Sequence, residues 1–149
     1  MKRRIAGLLA LLTLGSLLLS GCGARPVPEG IEEEAAGQAG QAIVELLLAG
    51  DYQSVVDSFD PAMRESLALT PEGIQKVVEP ALNSGAYIST YKIMAVGGQS
   101  KGYDGEYVVV GIYCEHEKMD VVYEMSFDTE LELLGLSSKQ QRRSILVNK

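Results

Sequence analysis

The spacing of apolar residues changes once along this chain. Between Ala36 and Leu82 they recur three and four residues apart, and after Ser84-Gly85 they alternate. The first spacing predicts helices, whose faces repeat every 3.6 residues, and the second predicts strands, whose side chains point to opposite faces in turn. Ile43, Leu46 and Leu47 place a helix at about 36–49, with Gly50 behind it as a C-terminal cap. Asp51 caps a second, short helix with Tyr52, Val55, Val56 and Phe59 on one side, and Asp60-Pro61 opens another segment to about Leu67. Thr70-Pro71 repeats that signal and starts a helix in which Ile74, Val77, Val78, Ala81 and Leu82 share a face. Pro80 kinks or ends it, because proline has no amide proton and crowds the preceding turn.

Strands are predicted at 86–96, 106–116, 119–128 and 131–136, separated by turn residues such as Gly97-Gly98 and Tyr103-Asp104-Gly105. A tight hairpin centred on Glu117-Lys118 pairs 114 with 121, 112 with 123, 110 with 125 and 108 with 127. Each pair joins apolar or aromatic residues, which puts Val108, Val110, Ile112, Cys114, Val121, Tyr123, Met125 and Phe127 on one face. Glu115, Asp120, Glu124 and Asp128 then face the other way. Helices followed by an antiparallel sheet define an α+β domain, with the N-terminal helices packed on one face of about four strands. Residues 36–137 form this domain, and 138–149 are expected to be a C-terminal tail, although a short extra strand is the alternative.

The first residues follow another pattern. Lys2, Arg3 and Arg4 precede an apolar run from Ile5 to Leu19, which has the length of a signal-peptide core and falls short of the ~20 residues of a spanning helix. Basic residues before such a run resist translocation, so the rest of the chain is expected outside the cytoplasm. Leu19-Ser20-Gly21-Cys22, closing the run, resembles the lipobox of bacterial lipoproteins. The resemblance implies that residues 1–21 are a signal peptide, that Cys22 receives a diacylglyceryl group on sulfur, and that the chain is cut before it. Residues 22–35, with two prolines, two glycines in 23–30 and the run Glu32-Glu33-Glu34, read as a flexible tether with a solvated acidic end.

The helices-then-sheet order also resembles the nuclear transport factor 2-like fold, which implies a curved, cone-like sheet around a pocket. Within it, "LLLAGDYQSVVDSFDPAMRESLALTPEGIQKV" and "VVYEMSFDTELELLGL" resemble a bacterial domain of unknown function found in lipoproteins and sometimes joined to an α/β-hydrolase. The matching features, Gly50-Asp51-Tyr52, Phe59, Phe127-Asp128 and Gly135-Leu136, are structural markers and imply no activity.

Charge narrows the partners. Residues 1–21 hold three of the thirteen basic and none of the twenty acidic residues, so the remainder carries ten basic against twenty acidic groups, a net −10. Such a surface suits neither nucleic acid nor electrostatic adhesion to an anionic bilayer, which leaves acyl chains to anchor the protein. At roughly 0.8 kcal/mol per buried methylene, one chain holds weakly and two hold stably.

Gly98-Gln99-Ser100-Lys101-Gly102 fits G-x-S-x-G, with Asp104 and His116 following in the chain order of an α/β-hydrolase. That motif needs a strand turning into a helix, and here a strand follows, so a hairpin loop accounts for the letters. In Cys114-Glu115-His116-Glu117 the strand alternation lets only Cys114 and His116 share a face, against the four ligands of a structural zinc site. With Cys22 acylated, Cys114 has no disulfide partner and is expected to be a core thiol. Seven of nine aromatics are tyrosine, a residue at home in strands and in pocket walls alike, and Tyr123 is the position expected to line a pocket. The expectation is a lipid-anchored domain on the extracytoplasmic face of the cell membrane, with no catalytic residue, metal or cofactor. It would bind a small apolar or amphipathic ligand or an envelope protein, or else serve a separately encoded envelope hydrolase or transporter; a small enzyme of its own is the weakest reading.

Overall fold

The computed structural model describes residues 25–98 and 105–143. Among the described residues five helices, α1 (Glu33–Leu48), α2 (Tyr52–Asp57), α3 (Pro61–Ser66), α4 (Pro71–Val77) and α5 (Glu79–Leu82), precede four strands. These are β1 (Tyr87–Gly98), β2 (Tyr107–His116), β3 (Asp120–Phe127) and β4 (Leu133–Gln141). The predicted caps operate: Asp51 accepts from Ser54 N–H at 3.2 Å, Asp60 from Met63 N–H at 3.1 Å and Thr70 from Gly73 N–H at 3.1 Å. Each satisfies an amide that the helix itself leaves without a partner. The predicted break near Pro80 separates α4 from α5 at Val78.

The central hairpin has the predicted register, from Val108↔Phe127 through Val110↔Met125 and Ile112↔Tyr123 to Cys114↔Val121. Helix α1 lies across its inner face on two glycines. A Cβ at Gly40 would stand 2.9 Å from Val110 Cγ1, and one at Gly37 3.1 Å from Ile93 Cγ2, so only these small residues let the helix axis approach so closely. Ile43, Val44 and Leu47 of α1, Val55, Phe59 and Ile74 of the following helices and turns, and the inward residues of β2 and β3 form one buried core.

The expected cone is not there. The sheet is open, ordered β1-β2-β3-β4, with β1 and β4 as separate edges, and it neither curves nor closes around a lumen. The inner face, where a pocket would lie, is filled, with Val108, Val110, Ile112, Tyr123, Met125, Phe127 and Leu133 all at most 1% exposed.

Both expected boundaries shift. β4 continues to Gln141, five residues past its predicted end, so the expected tail begins as strand. Ser138 donates to the Val77 carbonyl at 2.9 Å, Gln140 to Pro80 O at 3.2 Å and Ser84 Oγ at 3.1 Å, and these polar bonds hold a segment with few apolar residues to α4 and α5. Upstream, Arg25 bridges Gly97 and Val27 and Ile31 pack half-buried on the core, so residues 25–32 belong to the domain instead of forming part of a free tether. No helix among the described residues is long and apolar enough to cross a membrane.

Candidate functional site

β1 is an edge strand, and its edge is where the surface departs from an ordinary one. Among the described residues eight large apolar side chains are exposed, and four of them, Ile88, Tyr91, Ile93 and Met94, fall within seven residues of β1. Tyr91 is the extra residue of a bulge between Thr90 and Lys92, which turns it toward the outer face; there its hydroxyl donates to Asp120 at 3.2 Å and its ring meets Tyr113. Ile93 and Ala95 face inward opposite Ile112 and Val110, yet α1 does not cover them fully. They floor a shallow hollow of about 590 Å³ whose other lining is Glu33, Glu34, Gly37, Gln38 and Gln41. Gly37 sits directly against Ile93, where an added Cβ would stand 3.1 Å from Cγ2.

The edge also has unused hydrogen-bonding capacity. Gly97 N–H points away from β2 and donates to Arg25 O at 2.8 Å. Residues two apart in an antiparallel ladder direct their amides to the same side, so Ile93 and Ala95 present N–H groups along the same edge. Among the described residues the bridge at Arg25 is isolated, and the edge of β1 away from β2 borders no strand from Tyr87 to Val96. An apolar floor, an acidic and amide rim and an open backbone edge together can take up an extended chain with apolar side chains.

The residues singled out in the sequence occupy different places. Cys22 lies outside the described residues, as do Ser100 and Asp104 of the G-x-S-x-G stretch. Tyr123 does lie on the inward face, but it is 1% exposed and is not among the residues lining the hollow. His116, 2% exposed, places Nδ1 2.9 Å from the Gly85 carbonyl, which fixes the proton on Nδ1; Nε2 then accepts from the Tyr123 hydroxyl at 3.2 Å. Burial pushes the Tyr123 phenol up, so it stays a neutral donor. Cys114 shares the inward face with His116, as the alternation requires, and its Sγ lies 3.4 Å from Thr90 Oγ1; burial raises its thiol too. With both His116 nitrogens engaged, no Cys114–His116 metal pair is formed.

A different cluster draws carboxylates from two turns, Asp60 before α3 and Asp128 and Glu132 between β3 and β4. Ligand atoms of Asp60, Asp128 and Glu132 lie within 4.8 Å of one another. Two of the three already serve the backbone: Asp60 caps α3, and Asp128 accepts from the Glu130 and Glu132 amides, both at 2.9 Å, in the β3–β4 turn where Leu131 sits at φ 60°. Burial, with the Asp128 and Asp60 carboxylates beside it, raises Glu132 above the usual carboxyl range.

Residues 40–136 match the family described as a protein of unknown function, DUF3887. The chain belongs to that family. The expected kinship with a domain of unknown function therefore holds at that level, and the matched span covers every element from the middle of α1 to the first half of β4. The chain is also similar to a protein from Ruminococcus gnavus ATCC 29149, known from an NMR structure, with a TM-score of 0.64 and 21% identity over 76% of this chain and 96% of that one. At that identity the likeness speaks to the fold alone. No curated protein matches the chain. The hollow left no signal in the sequence, because the spacing marks 86–96 only as a strand and says nothing of how far α1 covers Ile93 and Ala95.

Proposed function

We propose that this member of the family is a lipid-anchored, extracytoplasmic binding domain that performs no catalysis and holds an extended, apolar segment of another envelope protein along the free edge of β1. The observation that carries the binding reading is the concentration of exposed Ile88, Tyr91, Ile93 and Met94 on an edge strand beside an uncovered hollow. Natural edges are commonly blunted with charge or proline, and from Tyr87 to Gly98 this one offers only Lys92. Anchoring draws its support from Lys2, Arg3 and Arg4, the apolar run and Leu19-Ser20-Gly21-Cys22. Binding is favoured over catalysis because the buried His116 has both nitrogens committed to structural bonds and Cys114 is held as a neutral thiol.

The test uses protein starting at residue 22 with Cys22→Ser, isolated under native conditions and examined by native mass spectrometry beside its Ile93→Lys variant. A protein complex that Ile93→Lys abolishes, with the melting temperature unchanged, is the expected result. A complex that survives Ile93→Lys at equal occupancy refutes the edge as the site. A retained small molecule without a protein partner replaces the occupant.

A further inference from the structure

How an anchored domain sits on its membrane depends on the chain between the lipid and the first fixed residue. As a flexible coil, a tether spanning 22–35 would hold its ends on the order of 20 Å apart. The chain is fixed much earlier. Arg25 forms an antiparallel bridge to Gly97, and the contact is so close that a Cβ at Gly97 would collide with the Pro26 carbonyl oxygen. Val27 and Ile31 pack on the core, and Ile31 N–H closes a turn on Pro28 O at 3.1 Å. Three peptide steps separate Arg25 from Cys22, and a fully extended chain covers about 11 Å in three steps.

We infer that the lipid on Cys22 holds the domain directly against the bilayer in one orientation, the Gly97 end of the sheet toward the lipid and the His116–Lys118 end away from it. The inference rests on the anchoring proposed above. Strand direction defines the two ends: β1 and β3 finish, and β2 and β4 begin, beside the Arg25 bridge. At about 3.4 Å per residue, the ten residues of β2 put the far turn roughly 30 Å from the near end. Ile93 and Ala95 lie four and two residues before the bridge, about 7–14 Å along the strand, so the hollow opens at the level of the headgroups. The segment it receives is then the juxtamembrane part of a membrane-bound partner. Glu106, Asp128, Glu130 and Glu132 crowd the near end, which no anionic surface would attract. The short leash sets the orientation against electrostatics, so the orientation persists at high salt and on neutral lipid.

The experiment uses full-length, lipidated protein in phosphatidylcholine vesicles doped with headgroup-nitroxide lipid, with a fluorophore on either Glu130→Cys or Lys118→Cys. Both positions are exposed, Cys114 is buried, and an acylated Cys22 takes no label. Quenching several-fold stronger at position 130 than at 118 is expected, in low and high salt alike. Inserting ten Gly/Ser residues between Ala24 and Arg25 should bring the two values together. Equal quenching in the parent protein, or an insertion that changes nothing, overturns the orientation. The mass of Cys22 is read first: without the diacylglyceryl increment the anchoring itself fails, a result distinct from a lipidated protein that quenches equally at both positions.

Discussion

Replacing Tyr123 by phenylalanine separates a core tyrosine from a ligand-lining one. The ring would stay, buried as before, and only the hydroxyl that donates to His116 Nε2 at 3.2 Å would go. Because His116 Nδ1 is committed to the Gly85 carbonyl at 2.9 Å, the imidazole cannot re-tautomerise to compensate, and Nε2 is left as a buried acceptor without a donor. Such a loss costs about 1–3 kcal/mol. With an unfolding entropy near 2.1 cal/mol/K per residue, the 113 described residues give about 0.24 kcal/mol/K, so Tyr123→Phe should lower Tm by about 4–13 °C. Thermal melts followed by circular dichroism measure it directly. A double-mutant cycle with His116→Phe should return a coupling of about 1 kcal/mol, since the hydroxyl has nothing to lose once its acceptor is absent. An unchanged or raised Tm, or no coupling, would refute the closed Gly85–His116–Tyr123 chain and return Tyr123 to the role of a pocket wall.

Two further outcomes follow from buried or crowded groups. In the Cys22→Ser protein, Cys114 should give no reaction with a thiol reagent at pH 8 while folded and one equivalent in concentrated guanidinium, because it is fully buried and burial raises its thiol; fast native labelling would show that the strand opens locally. Glu132 has a raised folded pKa, so between the unfolded value of about 4.3 and that raised value the folded state binds more protons, and the contribution of Glu132 to stability rises on acidification from neutral pH. Glu132→Gln should therefore raise Tm at pH 7, with the advantage shrinking toward pH 4; a Tm difference independent of pH would contradict the crowding of Asp60, Asp128 and Glu132.

What could be read in the sequence was local. Cap residues followed by proline marked the helix starts at Pro61 and Pro71, because an unpaired amide at a helix N-terminus needs an acceptor a few residues back. The central hairpin gave its register because a slip of one residue would turn Val108, Ile112 and Tyr123 out to water. The extension of β4 through Ser137–Gln141 had no such pattern, since it is held by side chains reaching to helix carbonyls sixty residues away. The acidic cluster was equally silent: Asp60 is sixty-eight residues from Asp128, and only the parallel bridge of Phe59 to Leu133 brings their turns together.

By itself, then, the sequence determined which residues turn inward, where helices begin, how β2 meets β3, and the lipobox resemblance at Cys22, all consequences of spacing over a few residues. Tertiary structure alone decided that the sheet stays open, that Gly37 and Gly40 bring α1 down while leaving Ile93 uncovered, and that Arg25 is pinned to Gly97. Those depend on which surfaces meet across the molecule and how closely two backbones approach. An alternating pattern says which face a side chain takes; it carries no term for the distance at which the next element covers it.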